Sequence, residues 1–354
     1  MEISIKKTMT PKVKPDERSL VFGHEFTDHM FIMDYAEGKG WHDPRIVPYG
    51  PLSLDPSTMV LHYAQETFEG LKAYKTAKGD VQLFRAKDNI ARLNQSNERV
   101  CIPTLCEEDV MQAIKTIVKV DEDWIPEAQG TSLYIRPFVI ATDPFIGVKT
   151  SSTFKFMIIL SPVGAYYKEG LNPTRIYVEE HYVRAVSGGT GQAKTGGNYA
   201  ASLKAQVEAA QKGYSQVLWL DGIERKYVEE VGTSNAFFKV DEKIYTAPLE
   251  GTILSGITRD TSLKLLKSWG IDVIEERFTI QQVYDWHIQG RLKEVFATGT
   301  AAVISPIGAL GWKGEDLIIN NNEIGQISQK LYDTITQIQI GQLEDSFNWI
   351  TVVN

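Results

Sequence analysis

Cysteine is scarce in this 354-residue chain: only Cys101 and Cys106 occur, both in CIPTLC. Two thiols make no disulfide framework, so a reducing cytoplasm is the expected setting. The six histidines, at 24, 29, 42, 62, 181 and 287, never pair at i, i+4, and no cysteine joins them; no metal site is expected. Long apolar runs are also missing. FMIIL at 156–160 is the densest, far short of the roughly 20 residues of a membrane span. Positive charge is in deficit, and a net charge of −8 argues against nucleic acid or an anionic membrane as the main partner. The first 19 residues mix Lys6, Lys7, Lys12 and Lys14 with Glu2, Asp16 and Glu17. They lack the apolar core of a secretion signal and the acid-poor character of a transit peptide, and read as a polar arm.

What is present is ordinary for a globular protein: 43% hydrophobic and 23% charged residues, in a length that allows two domains. Strand-like runs stand at TSLYIRPFVIAT (131–142) and FKFMIILSPVG (154–164). Before them, Thr104 and Glu107 have capping-box spacing, and Val110, Ile114, Ile117 and Val118 follow with helical periodicity. AYYKEGLNP (165–173) reads as the connection between a domain over 1–164 and one over 174–354. The second half resumes with a strand-like TRIYVEEHYVRAV (174–186). A helix is expected over YAASLKAQVEAAQKG with Leu203 and Val207 on one face, stopped by Gly213. Short strands SQVLWL, KYVEEVG and NAFFKV follow, then a helix from Ile257 to Trp269 that ends at Gly270. A last helix carries Ile324, Ile327, Leu331, Ile335 and Ile338 on one stripe. Strands and helices mix without regular βαβ alternation, so α+β domains are expected rather than a Rossmann sheet.

SGGTGQAKTGGN (187–198) crowds five glycines around one lysine. It nearly matches a nucleotide-binding P-loop, with Ala193 in place of the second glycine. A P-loop runs straight into a helix, whereas GGN resists helix formation and places the helix start near Tyr199. The other reading leaves Lys194 for covalent chemistry.

AKTGGNYAASL resembles the branched-chain amino-acid aminotransferases, which are fold-type IV pyridoxal-phosphate (PLP) enzymes. The likeness runs in order through VFGHEFTDHMF, LHYAQETFEGLKAY, LFRAKDNIARLN, GTSLYIRPFVI, SPVGAYY, QVLWLDG, EVGTSN, EVFATGTAAVISP and IQIGQLEDSFNWI, nearly the whole chain. It implies an α+β fold of two domains, a small α/β domain and a larger one with a pseudo-barrel β core.

The resemblance also implies roles. Lys194 would bond PLP as a Schiff base; an amine must be neutral to attack an aldehyde, and burial favours the neutral form. Neighbouring glycines let backbone approach the cofactor. Glu230 would face the pyridine nitrogen, and Tyr199 the 3-oxygen. Arg85, Thr300 and the amides of Ile257 and Thr258 would hold the phosphate, a helix start suited to an anion. Arg184, Thr233 and Leu254 complete the cofactor set. For substrate, the apolar pocket would be Phe22, Phe68, Tyr134 and Tyr166, with Thr233 and Ala301. Tyr63 and the amides of Thr300 and Ala301 would hold the α-carboxylate, and Arg136 the γ-carboxylate of glutamate. Ile146 and Val148 match positions that a dimer partner contributes. The implied activity moves the amino group of leucine, isoleucine or valine to 2-oxoglutarate, in a cytoplasmic homodimer with small-molecule amino acids and 2-oxo acids as partners. Other readings are a D-amino-acid transaminase, an aminodeoxychorismate lyase, a P-loop nucleotide binder, or a PLP-binding module without turnover.

Some members of that family carry a C-x-x-C pair after the GTA turn, where this chain has Ala302 and Ser305. Activity should therefore show no thiol-reversible loss on peroxide treatment that maps to residues 302–305; a loss of that kind in a peptide-mapped sample would contradict the reading.

Overall fold

A computed structural model describes residues 1–164 and 171–353. The chain forms two compact units. The first comprises the N-terminal half, Ala193–Gly196 and the C-terminal stretch from Gln337; the second comprises Gly197–Thr336 and the residues leading up to Gln192.

The first unit is one nine-stranded sheet with helices. Its elements are β1 (Ser4–Ile5), β2 (His29–Ala36), β3 (Gly40–Pro48), α1 (Met59–Tyr63), β4 (Glu66–Phe68), β5 (Leu71–Lys75) and β6 (Val81–Phe84). They continue with α2 (Ala86–Arg99), α3 (Glu107–Val120), β7 (Ser132–Ala141) and β8 (Thr153–Val163). The long β7–β8 hairpin takes up the strand-like runs expected at 131–142 and 154–164. Ile90, Leu93, Val110, Ile114, Ile117 and Val118 from α2 and α3 bury against Phe31, Leu83, Ile135 and Phe156 of the sheet. The cap of α3 differs from expectation. Cys106 is the N-cap, with no side-chain cap bond. The Thr104 carbonyl accepts from Trp41 Nε1 at 2.9 Å instead, and Glu107, Glu108 and Asp109 complement the first turn electrostatically. The N-terminal arm is docked rather than merely solvated: β1 pairs in parallel with β3, and the Thr8 amide donates to His29 Nε2 at 2.9 Å.

In the second unit lie β9 (Thr174–Glu179), α4 (Gly196–Ala200) except its first residue, α5 (Leu203–Gln211), β10 (Gln216–Leu220), β11 (Val228–Val231), β12 (Ser234–Val240) and β13 (Lys243–Thr246). Next come α6 (Ile257–Ser268), β14 (Val273–Glu275), α7 (Ile280–Ile288), β15 (Leu292–Gly299), β16 (Val303–Trp312), β17 (Glu315–Ile318) and α8 (Gln326–Gln339). The sheet order β11-β10-β9-β16-β15-β12 closes on itself through a β11–β12 pairing, a six-stranded barrel. Parallel pairs β9–β10 and β9–β16 sit among antiparallel ones, the α+β mixture expected. β9 stops at Glu179 because its carboxylate accepts the amides of His181 and Tyr182, turning the chain out of the ladder. The last strand, β18 (Ile350–Val353), returns to the first sheet and pairs with β6, so the C-terminal stretch does not follow the 174–354 boundary. The connection expected at 165–173 falls, but for 171–173, outside the described residues.

Two helical expectations are corrected. Gly196 and Gly197 open α4, so the helix starts three residues before Tyr199. Tertiary bonds override the glycine propensity: the Gly196 amide donates to the Glu66 carboxylate, and Asn198 exchanges two bonds with Thr190. The inward face of α5 is also different. Ala205 and Ala209 are fully buried against Val217 and Trp219, while Leu203 and Val207 are exposed. Ala205→Leu should therefore destabilise by about 1–3 kcal/mol through overpacking, whereas Leu203→Ala should stay within about 0.5 kcal/mol. Urea unfolding of both variants checks the orientation, and the reverse ranking would refute it.

Candidate active site

Lys194 is half-buried in the first unit, and its backbone is fixed on both sides. Its amide donates to Ser96 Oγ at 2.9 Å; its carbonyl accepts from the Phe68 amide at 3.0 Å. Thr195 Oγ1 donates to the Glu66 carbonyl at 2.7 Å. The lysine segment is thus tied to β4 by hydrogen bonds at Glu66 and Phe68. The Lys194 ammonium lies 4.9 Å from the centre of the Phe68 ring, and the Arg136 guanidinium lies 4.8 Å from the same ring. Arg136 Nη2 donates to the Tyr134 hydroxyl at 3.1 Å, and Phe22 meets Tyr134 edge to face at 4.9 Å. The structure therefore gathers Lys194, Phe68, Arg136, Tyr134 and Phe22 in this unit.

The ladder explains that arrangement. β4 pairs with Phe138–Ile140 of β7 and β5 with Leu133–Ile135, so the strand breaks at Glu69-Gly70. The break turns Glu69 inward, where Arg92 meets it at 2.7 and 3.0 Å and Asn89 at 2.8 Å. Burial alone would raise the Glu69 carboxyl, but Arg92, the Lys194 charge and Asn89 outweigh it and hold it below the usual range. Glu66 is raised by burial, partly offset by the Gly196 amide and Arg136.

Other expected residues of this unit lie elsewhere. Arg85 begins α2 in a left-handed conformation, bonds Asp88 at 2.9 Å and stacks on Trp349 at 5.5 Å. Tyr63 is exposed, with its hydroxyl donating to the Ile146 carbonyl; Ile146 and Val148 are exposed too. Tyr166 lies outside the described residues.

In the second unit, Arg184 Nε lies 2.7 Å from Glu230 Oε2, and both side chains are buried. The contact lies off the N–H direction, so it is an ion pair more than a directed hydrogen bond. Arg184 Nη2 donates to the Thr252 carbonyl, and Thr252 Oγ1 donates to Glu229 Oε1 at 2.6 Å. Burial raises the Glu229 carboxyl above the usual range, against Thr252 and Arg184. Asn235 Nδ2 donates to Glu230 Oε1 at 2.9 Å and to the Leu254 carbonyl at 3.0 Å. Two residues on, Gly256 caps α6 and Ile257 and Thr258 form its first turn. Tyr199 is half-buried on α4, Thr233 is exposed in the β11–β12 turn, and Thr300 and Ala301 are half-buried in the β15–β16 turn. A helix start that favours an anion and a buried carboxylate with its arginine fit a group carrying a phosphate and a basic ring nitrogen. Thr298 Oγ1 is buried without a hydrogen-bond partner, an orphan that a bound polar group would relieve.

Ser96, Glu66 and Asn235 were not singled out in the sequence. A signal existed for Ser96: Asn89, Arg92 and Ser96 recur at helical spacing on the buried face of α2, where polar residues need inward partners.

Residues 66–310 match the Amino-transferase class IV family. The branched-chain-amino-acid aminotransferase 2 of Bacillus subtilis strain 168 is 60% identical over 99% of this chain and 97% of its own. Among solved structures, the Escherichia coli branched-chain amino acid aminotransferase superposes with a TM-score of 0.78 at 27% identity, covering 92% of this chain and 99% of its own. The T.th. branched-chain amino acid aminotransferase with pyridoxamine 5'-phosphate gives 0.75 at 29%, covering 91% and 98%. The fold is that of a class IV aminotransferase. Within that class, the chain belongs to the branched-chain amino-acid aminotransferase family. This membership, rather than the helix start near 199, is what sets the P-loop reading aside.

Lys72, opposite Tyr134 on β5, is buried, and loss of hydration lowers its pKa from 10.5 to about 8. Its charge is disfavoured only in the folded state, so between these values unfolding takes up a proton and stability rises with pH. Between pH 7.5 and 9.5 the wild type should gain roughly 2 kcal/mol relative to Lys72→Met in urea unfolding. Parallel stability curves for the two proteins would rule out a depressed Lys72.

Proposed function

We propose that the protein is a pyridoxal 5'-phosphate-dependent transaminase. It exchanges the amino group between L-leucine, L-isoleucine or L-valine and 2-oxoglutarate, and works as a homodimer. The buried Arg184–Glu230 pair, beside a loop that leads into the start of α6, carries the reading, in a family with a solved member that holds pyridoxamine 5'-phosphate. Bound, the cofactor supplies an electron-accepting ring for charge developing at the amino acid's Cα.

The chain's own residues do the rest. The Lys194 amine takes the proton from Cα as a base and returns it as an acid. Glu230, as a carboxylate paired with Arg184, would hold a proton on the cofactor's ring nitrogen. The Tyr199 hydroxyl donates to the cofactor's 3-oxygen. Arg85, Thr300 and the first-turn amides of α6 bind phosphate, with Thr233 and Leu254 lining the cofactor. Tyr63 and the Thr300 and Ala301 amides orient the substrate α-carboxylate, and Phe22, Phe68 and Tyr134 exclude water around the side chain. Arg136, laid against the Phe68 and Tyr134 rings at 4.8 and 5.3 Å, offers a flat cation beside aromatic surface. That suits a branched alkyl group and a γ-carboxylate in turn. The exposed Ile146 and Val148 are the surface a partner subunit would cover. One methylene in such a pocket is worth about 1–3 kcal/mol, so discrimination among the three amino acids is modest.

The test is the visible spectrum of the purified protein before and after L-leucine, with D-alanine as control. The cofactor band should bleach with L-leucine only, and Lys194→Ala should lose about 10²-fold or more in turnover. Response to D-alanine alone, or Lys194→Ala turning leucine over at wild-type speed, overturns the reading.

A further inference from the structure

Glu230, Asn235 and Thr298 stand in register across β11, β12 and β15, one residue per strand. Directly opposed residues share a face of the sheet, so these three form a polar row on one face of the barrel. Asn235 is buried, and its amide nitrogen joins two different places: Glu230 Oε1 and the Leu254 carbonyl. With Arg184 against Oε2, both oxygens of the Glu230 carboxylate are engaged and its plane is set. The other end of the Asn235 amide is equally constrained. A Cβ on Gly256 would lie 1.9 Å from Asn235 Oδ1, so a side chain at the N-cap of α6 would push the Asn235 amide out of place.

We infer that Asn235 is a positioning residue for the cofactor, its amide locking the Glu230 carboxylate and the loop before α6 into one hydrogen-bonded unit; this rests on the assignment of pyridoxal 5'-phosphate to these residues. Registering the carboxylate with the helix start sets the spacing between the group that faces the ring nitrogen and the group that holds the phosphate. The chemistry selects asparagine. Aspartate has the same shape but, ionised, no donor for either Glu230 or the Leu254 carbonyl, and it would bring a like charge against Glu230. Alanine would leave the Leu254 carbonyl and one Glu230 oxygen without this donor.

Pyridoxal 5'-phosphate affinity, read by absorbance after dialysis of the full-length holoenzyme, tests the inference. Asn235→Ala and Asn235→Asp should each weaken binding about tenfold or more. Gly256→Ala should weaken it in the same direction. If Asn235 acts through Glu230, the effect of Asn235→Ala should shrink to under about threefold in a Glu230→Gln background. In turnover, kcat for L-leucine should fall more than KM changes. Should Asn235→Ala fail to fold, the isosteric Asn235→Asp decides on the same scale. Wild-type affinity in the variant that folds, or an undiminished effect in the Glu230→Gln background, overturns the role. A wild type that binds no pyridoxal 5'-phosphate instead overturns the cofactor assignment beneath it.

Discussion

A carboxylate withdrawn from water must be met by a cation and by donors, or surrender its charge. Much of the irregular structure in this chain answers to that requirement. Glu69 turns inward at a break between two short strands because Arg92 and Asn89 wait there on α2. Glu230 keeps its place on β11 because Arg184 and Asn235 reach it from either side. Glu229, one residue earlier, meets Thr252 but leaves one oxygen unpartnered, and burial raises its carboxyl. Adjacent glutamates on one strand thus meet different partners, Thr252 for Glu229 and Arg184 with Asn235 for Glu230.

The same logic reaches the lysine. Ser96 and Phe68 hold its backbone, so the amine is presented from a fixed main chain rather than from a mobile loop. The glycines around it serve geometry more than flexibility, since Gly196 brings its amide onto the Glu66 carboxylate. A rigid support of this kind is what acid–base work at a single carbon requires.

Regular elements were legible where hydrophobic periodicity was strong. β7, β8, α3 and α6 fall within two residues of the runs that announced them. Legibility failed where a tertiary partner decided. Two glycines began α4 because of Glu66 and Thr190, and small alanines rather than Leu203 and Val207 faced the core because Trp219 filled the space. Cys106 rather than Thr104 stands at the N-cap of α3, two residues after the spacing that suggested a cap, while the Thr104 carbonyl accepts from Trp41. Lys194, Glu230, Arg184 and Tyr199 could be singled out only because the family pattern is nearly continuous. Local composition would have left each as a loop or surface residue. The supports beneath them were harder to see, for a serine in a helix or an asparagine in a strand carries no label until its partner is known.

β18 completes the edge of the first sheet beside β6, although the whole barrel is encoded between them. On the ribosome, where chain emerges at about 5–20 residues per second, β6 must wait with its outer backbone groups unsatisfied until the barrel has been made. The first unit to be translated is therefore the last to close, and its exposed strand edge is where aggregation during biosynthesis would begin.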